Sequence, residues 1–530
     1  MNVKPDLRLV LLLILALFNN AGLGQVNFTD SNLPIIVINT NEQEIVDDPK
    51  IDCEMGIIWN GEGNRNYLSD PFNDYNGHIG IEIRGSTSQQ YPKKSYGLET
   101  RDAQGDNLNV SLLGLPKEND WILYGAFPDK SLMRNEITYS IFSALQPWSP
   151  RFVYCELVIN DEYLGVYTLI EKVKRDKDRI DIEKISENDI SGDELTGGYV
   201  IKIDKLTGSS NIPWNSAYQD SLKFLYHDPK FDELVSEQRD YIKKYVSDFE
   251  DAVYGDSFSN PETGYRAYIN TQSFIDFMIM QELGRTVDGY RSSSFMYKDR
   301  DSKGGKLTCG PMWDFNLSYG NANYCNAYEL EGWQYNFAEV CGGPGYPDVP
   351  DWWSRMLEDS TYSNELKCRW TELRSGLLST DSIHNWIDSM AVYLDEAQER
   401  NFTKWPILGE FVNWNFFVGN TYEEELDYLK LWFEERSAYL DENFPGVCND
   451  WVSSEKAVIS QSSISLYPNP SKGVFYFSEP IKRGEEISVF DCTGQLIDFE
   501  IHNDALDLSD HAKGVYFVRV NDQYFKVLKE

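Results

Sequence analysis

The chain has 530 residues, 41% of them hydrophobic and 14% aromatic, enough for a large buried core and far from the composition of a disordered chain. Its 48 Lys and Arg stand against 85 Asp and Glu, a net charge of -37, so its general surface repels nucleic acid and anionic membrane and neither is expected as a partner. An anionic small substrate would need a local basic pocket.

At the N-terminus, Lys4 and Arg8 flank the start of an apolar run from Leu9 to Phe18, and small residues follow up to Gly24. This pattern predicts a secretory signal peptide over residues 1–24. The run is short for a membrane span and no later stretch approaches twenty apolar residues, so no transmembrane anchor is expected. Residues 25–50 read as a leader and 51–448 as the main domain.

In "GHIGIEIRGSTSQQYPKKSYGLETRD", Ile79, Ile81 and Ile83 alternate with Gly80, Glu82 and Arg84, and a second alternating run follows a polar loop. This predicts a β-hairpin in which Lys94, not Lys93, shares a face with Tyr96 and Leu98. "DKSLMRNEITYSIFSAL" reads as a helix. "VYCELVINDEYLGVYTLIEKVKRD" predicts a second hairpin turning at Asn160 and Asp161, with Glu171 ending the row Gly165, Tyr167, Leu169.

"GGYVIKIDK" adds a strand, and "NTQSFIDFMIMQELGRT" is apolar on nearly every side, as a deeply buried helix would be. Asp288 follows that helix, and a β-type segment from Ser294 to Tyr297 leads through a turn to "GPMWDFNLSYGN". There Asp314 stands between Trp313 and Phe315, where a buried carboxylate would need a cation or a set of donors. From Asp351 to Phe444 the pattern is mostly helical, with Leu426, Leu429, Phe433 and Leu440 forming one stripe. Residues 449–463 read as a linker, and 464–530 as a small all-β module. The strand-rich first half and helix-rich second half predict an α+β, two-lobed plan.

The eight cysteines form no CxxC pair, and Cys325 with Cys341 is the expected disulfide because both lie in one Gly/Asn/Pro-rich loop segment. The five histidines make no HExxH, and neither a GxSxG elbow nor a P-loop occurs. What remains is a constellation of carboxylates, lysine and arginine. Asp288 and Asp314 lie across a strand-turn-strand that can bring them to one cleft. Phosphoryl transfer uses such a pair, together with a lysine fixed by a glutamate, roles that Lys94 and Glu171 would fill. By spacing alone, a paired-carboxylate glycosidase fits as well.

Six ordered pieces resemble the spore-coat protein H family, the CotH kinases: "IEIRGSTSQQYPKKSYGLET", "DWILYGAFPDKSLMRNEITYSI", "CELVINDEYLGVYTLIEKVK", "GGYVIKIDK", "SFIDFMIMQELGRTVDGYRSSSFMYKD" and "GPMWDFNLSYGN". The resemblance implies a divergent protein-kinase-like fold that moves phosphate from ATP, with Mg2+ or Mn2+, to serine on an exported or surface protein. It assigns Asp288 as the catalytic-loop aspartate and Asp314 as the metal aspartate. It makes Lys94 the nucleotide lysine, with Glu171 its partner, and matches Arg84, Arg134 and Asn135 to motif positions around the cleft. Two departures stand out: Asn316 replaces the family's second metal-motif aspartate, and Ser293 stands where a conventional kinase has asparagine. They keep a catalytically degenerate, surface-binding kinase fold as the alternative.

The last segment, with "SLYPNPSKGVFYF", "ISVFDCTGQLI" and "LDLSDHAKGVYFVRV", resembles the type A sorting domain of the type IX secretion system. That resemblance implies export across the outer membrane and the secretion machinery as a partner.

Overall fold

The computed structural model describes residues 26–206, 212–341, 349–448 and, in the C-terminal module, 466–467, 471–477, 487–491, 496–502, 505–520 and 523–529. The expected signal peptide, residues 1–24, and the linker, residues 449–463, fall outside the described residues.

The N-terminal half closes on itself. Strands β1 (Ile35–Asn39), β2 (Ile51–Ile58), β3 (Tyr75–Arg84), β4 (Ser95–Arg101), β5 (Asp120–Tyr124), β6 (Phe152–Ile159) and β7 (Glu162–Glu171) form a barrel in the order β1-β2-β3-β4-β5-β7-β6. It is sealed by parallel pairing of β1 with β6. Alternation puts Ile38, Met55, Ile79, Ile81, Leu98, Leu157 and Leu169 into one buried interior cluster. Both expected hairpins are present, with His78 opposite Arg101 and Ile159 opposite Glu162. Asn160 and Asp161 sit at φ 49° and 64°, as a two-residue turn matching strand twist requires. Residues 25–50, expected to be a leader, supply β1. That strand is a stave of the barrel, because Ile35, Ile36 and Ile38 are all fully buried. Barrel closure was not legible in local alternation.

Helix α1 (Arg134–Ser143) lies between β5 and β6 in sequence, and nine of its residues are buried. The second half begins with a five-stranded sheet of β8 (Tyr199–Ile203), β9 (Trp214–Asn215), β10 (Lys223–Asp228), β11 (Ser294–Lys298) and β12 (Thr308–Cys309), in the order β9-β10-β8-β11-β12. Helices α2 (Ser236–Tyr254), α3 (Thr271–Gly284), α4 (Ser360–Arg374), α5 (Thr380–Lys404) and α6 (Tyr422–Asn443) share one core cluster with it, and α5 also packs along β7 of the barrel. Helix α3 is buried on almost every side, as its composition predicts, and Asn270 caps it by accepting from the Ser273 N–H.

An ion pair with no solvent contact joins α3 to α6: Glu282 lies 3.4 Å from Arg436. Glu282 also accepts from the Tyr290 hydroxyl at 2.9 Å and from the N–H groups of Gln334 and Tyr335. Such a pair persists only when its remaining donors and acceptors are satisfied, and here they are. Through Tyr290 it fixes the turn that carries Asp288.

The expected Cys325–Cys341 disulfide is formed, and a second joins Cys368 on α4 to Cys448 just beyond α6. Cys53, Cys155 and Cys309 are buried thiols. The C-terminal module is a pair of four-stranded antiparallel sheets around a core that includes Phe475, Val489, Leu506, Val518 and Val527. The architecture is α+β and two-lobed, followed by a small β module. Among the described residues, no helix is long and apolar enough to cross a membrane.

Candidate active site

A cavity of about 610 Å³ opens where the end of β3, the start of α1, the turn after α3 and the loop after β12 meet. Arg84, Asn135, Asp288, Asp314 and Asn316 all line it, joined by Lys205 from the end of the β8 segment. Each is placed by a separate local cause.

Asp314 sits at φ 66°, a left-handed conformation that an aspartate tolerates better than most side chains. The backbone around it is clamped. The Phe315 N–H donates to Asn135 Oδ1 at 2.7 Å, and the Ser318 carbonyl accepts from Arg134 Nε at 3.2 Å. Arg134 is held in turn by Asp129 at 2.6 Å, with both side chains about 1% exposed. Arg134 therefore braces the loop and does not reach the cavity, whereas Asn135 does both. On either side, Phe315 is buried and Trp313 packs on Tyr139 with ring centroids 5.8 Å apart.

The expectation that Asp314 is buried does not hold: its side chain is exposed to the cavity. The left-handed backbone turns the carboxylate away from the two aromatics that precede and follow it. Among the described residues it makes no ion pair and no side-chain hydrogen bond. Protein still surrounds it, and this desolvation pushes its carboxyl up to about 6, with the nearby charges of Asp288 and Asp204 adding to the rise. Lys205 and Arg84 pull the other way.

Asp288 is better partnered, with Lys205 Nζ at 3.3 Å and the Arg291 guanidinium at 3.5 Å. The Arg84 guanidinium lies 5.8 Å from the centre of the Trp313 ring, and among the described residues it donates no hydrogen bond to protein. Two carboxylates and the Arg84 guanidinium thus face one cavity in a chain whose net charge is -37. A site of this kind suits a ligand that carries both cation and anion.

The CotH kinase protein model matches residues 81–440, more than half of the chain. The protein belongs to the CotH kinase family. Residues 465–530 match a secretion system C-terminal sorting domain, which marks this CotH-family protein for type IX export and for the cell surface or the surrounding medium. No curated protein matches the chain.

Within this CotH-family chain the proposed Lys94–Glu171 pair does not form, and neither residue lines the cavity. The register explains why. Leu98 is level with Trp121, which is level with Glu171, and Lys94 lies four residues before Leu98, just ahead of the first strand residue, Ser95. At about 3.3 Å per residue, that is roughly 13 Å along the sheet from Glu171. Glu171 instead accepts from Arg151 at 2.7 and 2.8 Å and from Trp148 Nε1, closing one end of the barrel. Lys94 Nζ caps the hairpin tip by donating to the Gln89 carbonyl.

The neighbouring lysine is the buried one. Lys93 is 2% exposed and donates to the Val166 carbonyl at 2.6 Å and to Asn401 Oδ1 at 2.8 Å. Strand β4 begins only at Ser95, so strand alternation does not extend back to choose between the two lysines.

Asn316 lines the cavity, and its backbone carbonyl accepts from Asn321 Nδ2 at 2.7 Å. Ser293 does not line the cavity, and its N–H donates to Asp204 Oδ1 at 3.3 Å. Lys205 and Asp204 carried no sequence assignment. The available signal was their place at the end of "GGYVIKIDK", where a strand runs out into a loop. Among the described residues, no group of three or more His, Cys, Asp or Glu is gathered closely enough to hold a metal ion by itself. Asp314 and Asn316 both line the cavity, and a carboxylate and an amide oxygen are of the hard-oxygen type that a magnesium-type ion accepts.

Proposed function

We propose that this CotH-family protein is an exported protein kinase that transfers the γ-phosphoryl group of ATP to serine hydroxyls on exported or surface proteins. The observation that carries the reading is the Asp314 carboxylate, which has no hydrogen-bond or ion-pair partner among the described residues and shares a cavity with Asp288 and with the Arg84 guanidinium, which bonds no acceptor among them.

In this reading Arg84 and Lys205 receive phosphate oxygens, as the strongly acidic remainder of the chain cannot. Asp288 orients the acceptor hydroxyl and takes its proton. Asp314, with the neutral oxygen of Asn316, holds Mg2+ or Mn2+, which when bound neutralises charge on the phosphates. Asn135 keeps Asp314 in place through the Phe315 N–H. Glu171 and Lys94 have structural parts only, at the barrel's end and the hairpin tip.

A catalytically degenerate kinase fold that binds a ligand at the surface is the second reading. It is favoured by Asn316 in the place of a second acid and by the absence of a Lys94–Glu171 pair. Both readings are tested by incubating the chain from Gln25 with labelled ATP and either metal, beside Asp288→Ala and Asp314→Ala. Serine-linked label that disappears in both variants supports the kinase. Metal-dependent ATP binding without label in any substrate supports the second reading.

A further inference from the structure

One wall of the cavity is aromatic and plays no part in the chemistry above. Trp414 and Tyr324 both line the cavity, their ring centroids 5.1 Å apart and their planes inclined at 60°. Tyr324 meets Trp414 edge to face, so the contact does not cover the indole by stacking, and Trp414 remains 37% exposed. Trp414 also sits at φ 81°, where a bulky L-residue is strained.

Strain of that kind persists only where the surroundings over-determine it. Here they do: the Asn323 N–H donates to the Trp414 carbonyl and the Phe416 N–H to the Asn321 carbonyl, both at 2.8 Å. Between them, Asn415 Nδ2 donates to the Pro128 carbonyl and to Asn321 Oδ1, at 2.7 and 2.8 Å. The indole is therefore held out into the cavity by a buried polar network.

The other tryptophan in the cavity is already engaged, since Trp313 packs on Tyr139 and carries Arg84. Among the described residues, Trp414 is thus the lining indole that neither stacks on another ring nor carries a cation. It adjoins the metal-motif loop, because Leu317 packs with Tyr324 on the cluster of Val287, Ala322 and Ala327. A cavity of about 610 Å³ has room for a whole nucleotide.

We propose that the Trp414 indole, braced by Tyr324, is the stacking platform for the base of the bound nucleotide, with the phosphates directed toward Arg84 and Asp314. The proposal rests on the nucleotide reading given above and adds its base-recognition residue. A π-face of this kind accepts any base, so it predicts affinity for nucleoside triphosphates as a class, with purines stacking best.

The test compares ATP with inorganic tripolyphosphate, which has the charge and no base, by calorimetry on the chain from Gln25 in the presence of Mn2+. The unmodified protein should bind ATP more tightly than tripolyphosphate. Trp414→Ala should weaken ATP roughly 10-fold to 100-fold while leaving tripolyphosphate unchanged, and Trp414→Phe should keep most of the preference. Trp414→Gly guards against misfolding, because glycine takes a positive φ without strain, and it should lose the preference at undiminished thermal stability. Retention of the ATP preference in Trp414→Gly overturns the platform. So does a loss confined to acceptor-protein affinity. If the unmodified protein binds neither ATP nor tripolyphosphate, the nucleotide reading itself fails and the platform with it.

Discussion

Protonation of Asp314 should compete with metal binding in an unusual pH range. A carboxyl pushed up to about 6 is roughly nine-tenths ionised at pH 7 and one-tenth at pH 5. Since only the ionised form binds a hard cation, apparent Mn2+ affinity should fall about 10-fold between pH 7 and pH 5. A carboxyl at its ordinary value of 3.8 would lose less than about a tenth of its affinity over the same range. No histidine lines the cavity to mimic the effect. Calorimetric titration with Mn2+ alone, at half-unit steps from pH 5 to 8, reads the dependence directly, and Asp314→Asn should abolish the binding. Affinity that stays flat from pH 7 to pH 5, or an Asp314→Asn protein that binds like the unmodified one, would refute the reasoning.

The same shift acts on stability, with a definite sign. The unfolded carboxyl ionises above about 3.8 and the folded one above about 6, so across that window the folded protein holds a proton that the unfolded chain has lost. Stability therefore falls as pH rises through the window, and the penalty is complete above it. Solvent reaches the side chain through the cavity, which reduces the cost at neutral pH to the order of 1 kcal/mol. Asp314→Asn should recover that amount.

Lys94→Ala should leave metal-dependent ATP affinity within about twofold. Glu171→Ala should cost about 1–3 kcal/mol in urea denaturation by stripping Arg151 and Trp148 of their acceptor. The reverse ranking, with nucleotide affinity lost in Lys94→Ala, would restore the pair to the site. Asn135→Ala orphans the Phe315 N–H and should depress phosphoryl transfer at least about 10-fold in a folded protein, while Asn135→Asp, which still offers an acceptor, recovers part of it. Glu136, fully buried, has its carboxyl pushed up to about 8 by burial first and by Asp129 second, so it stays protonated where the unfolded chain has ionised, from about 4.5 upward. Its contribution lowers stability as pH rises from 5 to 8, by up to a few kcal/mol, and Glu136→Gln should flatten that slope in denaturation at the two pH values.

Much of the molecule could be read from local pattern, because local pattern reports which face of an element is buried. The period of Ile79, Ile81 and Ile83 and the turn residues Asn160 and Asp161 predicted two hairpins that are present in register. The all-round apolar helix before Asp288 is α3, and the loop cysteines Cys325 and Cys341 are bonded. Asp288 and Asp314, 26 positions apart, do line one cavity.

Only the tertiary structure decided the rest, and in each case the cause lies in how separate elements meet. Rung alignment across three strands parted Lys94 from Glu171, which no reading of one strand could reveal. Lys93 is buried because Asn401, more than three hundred positions later, supplies its acceptor. The positive φ of Asp314 turned a carboxylate flanked by two aromatics out into a cavity. Trp414 and Lys205, distant in sequence from each other and from Asp288 and Asp314, became neighbours of the site through folding alone. Periodicity in the chain determines which side of an element faces inward. Which charge meets which is set by register and long-range packing.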